Sequence, residues 1–127
     1  IEMIKHYQPG VAVLGNPDEL LHVFVNLITN AVHAMEQTRG TLTLETAGLH
    51  GEINVRISDT GCGIAPEKVP EIFEPFFTTK APGKGTGLGL YNVKTIVNKM
   101  HGVIAVDSQI EKGTTFTLIF PNRELTG

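Results

Sequence analysis

One alternating run constrains this chain more than any other: Ile53, Val55 and Ile57 mark a strand with one buried face, and Asp59 continues the same parity. Such a strand needs a second layer on its apolar side, and it aims a carboxylate inward at its end. Burying that charge demands hydrogen bonds, a cation or a polar ligand edge, because an unpaired buried charge is costly. Gly61 and Gly63 follow at once and allow a tight turn and the close approach of a flat ligand. Asp59 therefore either caps the turn Asp59-Thr60-Gly61 or meets a ligand beside it.

The rest of the chain supplies the partner layers. Residues 2–8 and 11–14 read as extended, and Asn16-Pro17-Asp18-Glu19 then offers an N-cap, a proline at the first helical position and a glutamate three residues after the cap. A helix is expected from Glu19 to about Thr38, with Leu20, Leu21, Phe24, Leu27, Ile28, Ala31, Ala34 and Met35 in its core arc and Gly40 beyond its end. Strands are predicted at Thr41–Ala47 and Glu52–Asp59, joined by a turn over Gly48–Gly51. A short helix is expected over Pro66–Ile72 and a longer one over Leu88–Met100, with a long irregular segment, Phe73–Gly87, between them. A second hairpin, Val103–Ser108 and Thr114–Phe120, crosses Glu111-Lys112-Gly113.

At 127 residues the chain fits a single domain, and its first residue, Ile1, already in an alternating apolar phase, suggests a piece of a longer protein. Hydrophobic residues form 41% and charged residues 18% of the chain, a globular rather than a disordered composition. A formal net charge of -3 gives no basic field for nucleic acid, and no apolar run is long enough to span a bilayer as a helix. The single cysteine, Cys62, forms no internal disulfide and has no neighbouring His cluster for zinc; a small residue between two glycines explains it.

Two further constellations bear on chemistry. On the polar side of the first helix lie His22, Asn26, Thr29, Asn30 and His33, so two carboxamides stand at i and i+4. They are either a solvated stripe or a place for Mg²⁺, which a carboxamide oxygen coordinates beside phosphate oxygens. Gly83, Gly85, Gly87 and Gly89 alternate into the entrance of the second helix, where backbone amides and the helix N-terminus favour an anion. The alternative is a flexible linker. Neither Walker A spacing nor a dinucleotide-binding fingerprint is present.

Taken in order, N-L-I-T-N-A at 26–31, D-T-G-C-G-I at 59–64, F-E-P-F-F at 73–77, G-T-G-L-G-L at 85–90 and G-T-T-F at 113–116 resemble the N, G1, F, G2 and G3 boxes of the catalytic, ATP-binding domain of bacterial sensor histidine kinases. The stretch Phe76-Phe77-Thr78-Thr79-Lys80 looks most like the nitrogen-regulation type. The resemblance implies a Bergerat fold, an α/β two-layer sandwich in which helices cover one face of a mixed sheet. It also implies a cytoplasmic domain that binds ATP and Mg²⁺ and transfers the γ-phosphate to a histidine on a separate dimerisation domain, with a response regulator downstream.

Carried over by resemblance, Asp59 accepts the adenine amino hydrogen, Gly61 and Gly63 frame the base with Ile64, and Asn30 ligates Mg²⁺. His33 stands where many relatives have a phosphate-contacting lysine. Gly85, Thr86, Gly87, Leu88 and Gly89 hold the phosphates, Lys80 reaches the terminal phosphate, and Thr114 supports the adenine side. Asn26, Asn30 and Lys80 form the implied catalytic set, and Phe73–Gly87 the implied lid. None of the five histidines sits in an acceptor box. The alternatives within the fold are a serine kinase of the anti-sigma type or an ATPase module, whose water-activating glutamate is replaced here by Asn26.

Overall fold

A computed structural model of the chain describes residues 2–7, 16–37, 40–49, 51–77 and 89–121. In chain order these form β1 (Glu2–Tyr7), α1 (Pro17–Ala34), β2 (Thr41–Leu49), β3 (Glu52–Asp59), a single 3₁₀ turn (Val69–Glu71), α2 (Gly89–Lys99), β4 (Val103–Gln109) and β5 (Gly113–Pro121). The strands make one sheet in the order β1-β2-β3-β5-β4. β1 runs parallel to β2 and every other pair is antiparallel, so the sheet is mixed.

The alternation in β3 sets the layers. Ile53, Val55 and Ile57 share a face with Phe120, Leu118 and Phe116, their partners on β5, and these join Val23, Leu27 and Ala31 of α1 and Val93, Ile96 and Val97 of α2 in one core. Both helices therefore cover the same side of the sheet, as the sequence resemblance implies. No helix among the described residues is long and apolar enough to cross a membrane.

Asn16 caps α1 as expected, its Oδ1 accepting the amides of Asp18 at 2.8 Å and Glu19 at 3.3 Å. Glu19 does not close a reciprocal capping box; its carboxylate pairs at 2.8 Å with Lys99 at the end of α2, tying the two helices at the surface. The core arc of α1 is rotated from the expected one: Val23 is fully buried, whereas Leu21 is 62% exposed. α1 also stops at Ala34, short of Thr38, because the Met35 amide closes the last turn on Ala31 and Val32 while the Met35 side chain fills the space that Gly40 leaves open. A Cβ on Gly40 would lie 2.0 Å from the Met35 sulfur.

Two other boundaries move for physical reasons. Gly48, expected in the turn, pairs with Ile53 because β2 continues through Leu49. The short helix expected over Pro66–Ile72 reduces to Val69–Glu71, since Pro70 in its middle has no amide hydrogen to donate. The extended stretch 11–14 and the centre of the glycine-rich segment, residues 78–88, lie outside the described residues.

Gly113 holds the second hairpin against β3. Its φ is +128°, and a Cβ there would sit 2.0 Å from the Asp59 carbonyl oxygen, whereas Gly51, at φ +77°, has nothing within 4 Å. Gly113→Ala should therefore cost at least about 2 kcal/mol, strain plus a backbone clash, and Gly51→Ala only about 1 kcal/mol. Denaturant midpoints at equal m values check the difference.

Candidate functional site

Three neighbouring inward positions at one end of the sheet are polar, each continuing a strand whose preceding inward residues are apolar. Asp59 ends β3, Thr114 lies opposite it on β5, and Ser108 lies opposite Thr114 on β4. Asp59 and Thr114 are both buried, at 8% and 4% exposure. The Ser108 hydroxyl joins the row: its Oγ is 2.7 Å from Thr114 Oγ1, donates to the Gly113 carbonyl at 3.1 Å and accepts the Ile64 amide at 2.8 Å. Sequence reasoning passed over Ser108. The signal was there, since Ile104, Val106 and Ser108 repeat on β4 the pattern of two apolar residues followed by a polar one.

Asp59 Oδ1 accepts the Gly61 amide at 2.9 Å, so the side chain does cap the turn. That bond does not satisfy two carboxylate oxygens, each with two lone pairs. Burial pushes the Asp59 carboxyl above the usual carboxylate range, and the amides of Gly61 and Thr114 pull it only part of the way back. Asp59 is thus a carboxylate held at an energetic cost at the floor of the loop that follows it.

Backbone bonds fix that loop. Cys62 donates its amide to the Ala34 carbonyl at the end of α1 (3.0 Å), Glu111 donates to the Cys62 carbonyl (2.7 Å), and Thr60 Oγ1 accepts the Thr41 amide (2.9 Å). Gly61 and Gly63 are required by this packing. A Cβ on Gly61 would lie 2.5 Å from the Ala34 oxygen, and one on Gly63, at φ +74°, 2.1 Å from the Gln109 oxygen. The protein's own backbone explains both glycines, and the Cys62 side chain between them is exposed.

Asn26, Asn30 and His33 stand on one side of α1, with His33 immediately before the Ala34 carbonyl that receives the loop. Asn26 Nδ2 donates to the His22 carbonyl at 2.9 Å, and its Oδ1 would lie 2.9 Å from a Cβ on Gly89, the first residue of α2. Asn26 is therefore seated against the entrance of α2. His33 Nε2 lies 3.8 Å from Glu36 Oε1, while its Nδ1 is buried with no partner among the described residues. No group of three or more His, Cys, Asp and Glu side chains able to hold a metal occurs among the described residues.

The segment after the loop is anchored by Ile72, buried in the core, and by Phe73 and Phe77 against it; Phe73 packs edge-on to Phe116, with centroids 6.3 Å apart, and Lys94 Nζ lies 5.4 Å from the Phe73 centroid. Phe76, at φ 68°, is 74% exposed. Lys80, Gly85, Thr86, Gly87 and Leu88 fall outside the described residues.

Residues 15–124 match the family model described as histidine kinase-, DNA gyrase B-, and HSP90-like ATPase. The chain is 41% identical over 109 residues to the sensor histidine kinase ZraS of Escherichia coli strain K12, covering 86% of this chain and 23% of that protein. It thus spans about a quarter of that relative's length. Among solved structures it superposes on the mycobacterial sensor histidine kinase MprB with a TM-score of 0.84 at 27% identity, covering 96% of this chain and 84% of that one. Full-length ShkA in complex with AMPPNP gives 0.83 at 28% identity, covering 95% and 25%.

Because the native Asp59 carboxyl binds its proton at higher pH than the unfolded one, the native state holds more protons through that window. Stability therefore falls as pH rises through it. Asp59→Asn, whose amide oxygen still accepts the Gly61 amide, should be more stable than the parent at pH 7, and the gain should narrow as pH falls through the raised pKa. Denaturant titrations at several pH values check this.

Proposed function

This chain belongs to the histidine kinase-, DNA gyrase B-, and HSP90-like ATPase family, and from that premise we propose that it binds MgATP and passes the γ-phosphoryl group to a histidine on a separate helical dimerisation domain. The observation that carries the reading is the buried Asp59 carboxylate, raised in pKa and only partly satisfied by backbone amides. Such a group needs a donor, and the exocyclic amino group of adenine is one. The complex of ShkA with AMPPNP supports a nucleoside triphosphate as ligand.

In this reading Asp59 accepts the adenine amino hydrogen, and the rigid loop through Gly61, Gly63 and Ile64 receives the base, with Thr114 and Ser108 behind it. Because Ser108 already engages the Thr114 hydroxyl, Thr114 acts by holding the floor. Asn30 supplies a carboxamide oxygen for Mg²⁺, with the phosphates completing the shell; the ion neutralises phosphate charge when bound. Asn26, braced between His22 and Gly89, orients the entrance of α2, where Gly85, Thr86, Gly87, Leu88 and Gly89 hold the phosphates and Lys80 reaches the terminal one. The chain's contribution to transfer is placement and charge neutralisation.

The acceptor imidazole comes from another domain, and a response regulator takes the phosphoryl group onward. An ATPase or a serine kinase of the same fold would draw on the same floor. Asn26 disfavours hydrolysis: a carboxamide has no useful basicity near pH 7, and this one already donates to His22.

Labelled ATP given to the chain alone should leave it unlabelled and turn over slowly, and addition of an acceptor-histidine domain as a separate polypeptide should yield an acid-labile phosphorylated partner. Asn30→Ala should lower that transfer at least about tenfold while reducing adenosine binding little. Rapid phosphate release by the chain alone would favour an ATPase, and normal transfer by Asn30→Ala would remove Asn30 from the metal site.

A further inference from the structure

We propose that Ser108 sets the selectivity of the adenine floor by keeping the Thr114 hydroxyl turned away from Asp59. This rests on the nucleotide-binding reading above and adds a positioning residue to it. Thr114 stands between the other two residues on the sheet, opposite Asp59 of β3 on one side and opposite Ser108 of β4 on the other. A hydroxyl in that place has two acceptors within its reach, and it takes the serine: Ser108 Oγ lies 2.7 Å from Thr114 Oγ1.

Counting hydrogens gives that contact its direction. A serine hydroxyl has one hydrogen to donate and two lone pairs to accept with. The Ser108 hydrogen goes to the Gly113 carbonyl, which only accepts, at 3.1 Å, and one lone pair takes the Ile64 amide at 2.8 Å. The other lone pair receives the Thr114 hydrogen, since the reverse direction would take the serine hydrogen away from Gly113. Thr114 then has no hydrogen left for Asp59. The carboxylate is served by the backbone amides of Gly61 and Thr114, while the buried Thr114 hydroxyl, the natural third donor, is held on the far side of its own strand. Ser108 thus keeps Asp59 short of one donor, the one that an adenine amino group brings.

Calorimetry with ATP and with inosine triphosphate, which carries a carbonyl oxygen in place of the amino group, tests the assignment. Ser108→Ala releases the Thr114 hydrogen to Asp59, so the ratio by which the chain prefers ATP should fall at least about threefold, the worth of one neutral hydrogen bond. Ser108→Thr, which keeps a hydroxyl at that place, should retain most of the preference. In a Thr114→Val background, Ser108→Ala should leave the ratio where it was. A serine that merely braces the loop at Ile64 would instead weaken both nucleotides alike on truncation, and such an unchanged ratio would overturn the inference. So would an equal fall in the Thr114→Val background, because the effect would then not run through the Thr114 hydroxyl. The parent itself gives a reading that needs no variant to fold: in its NMR spectrum the Thr114 hydroxyl hydrogen should show Overhauser contacts to the Ser108 methylene, and contacts to the Asp59 methylene in their place would overturn the inference. A parent chain with no preference for ATP would overturn the adenine reading, and this inference with it.

Discussion

A single charge in the wrong solvent organises this molecule. Asp59 occupies an inward position on the central strand, next in line after Ile53, Val55 and Ile57, and burial raises its pKa despite two backbone amides. A core position of that parity would be filled at lower cost by another aliphatic residue. The expense is what the proposed function requires: a carboxylate kept partly unsatisfied can serve as a specific acceptor for a ligand that brings its own donor.

The surroundings keep it in that condition. Thr114 and Ser108 continue the polar row across the sheet, and Ser108 ties the row to Ile64 beyond the glycine loop. The loop is closed on three sides, by Ala34 of α1, by Thr41 at the start of β2 and by Glu111 in the last hairpin. Gly61, Gly63 and Gly113 each lie where a Cβ would strike backbone, so the floor of the site is assembled by close main-chain packing. α1, whose end receives that loop, carries Asn26, Asn30 and His33 along one side. In the proposed function, the groups that would meet the base and those that would face the phosphates are joined at one helix end.

Much of this was legible in the sequence because it follows from period. Alternation placed Asp59 inward, the N-cap at Asn16 and Pro17 placed the start of α1, and the order of the elements matched the sheet with its one covered face. Ser108 was equally legible by parity on β4, but a lone serine at a strand end carries no charge to draw attention to it. The end of α1 was not legible, because the helical period runs on while Met35 turns into the space at Gly40, a contact between segments. Nor was the pairing of Glu19 with Lys99, eighty residues along the chain, in place of a capping box. The glycines of the loop fit both a tight turn and the close approach of a ligand by sequence; in the structure the neighbouring backbone by itself requires them.

The comparison of ATP with inosine triphosphate tests the central claim, that Asp59 is the reader of the adenine amino group, most directly. Inosine triphosphate presents a carbonyl oxygen where ATP presents the amino group, so a buried carboxylate would face an acceptor instead of a donor. Titration calorimetry on the parent chain should show ATP bound at least about tenfold more tightly, and Asp59→Asn, which offers both a donor and an acceptor, should lose most of that preference. Equal affinity of the parent for the two nucleotides, or an undiminished preference in a folded Asp59→Asn chain, would contradict the account.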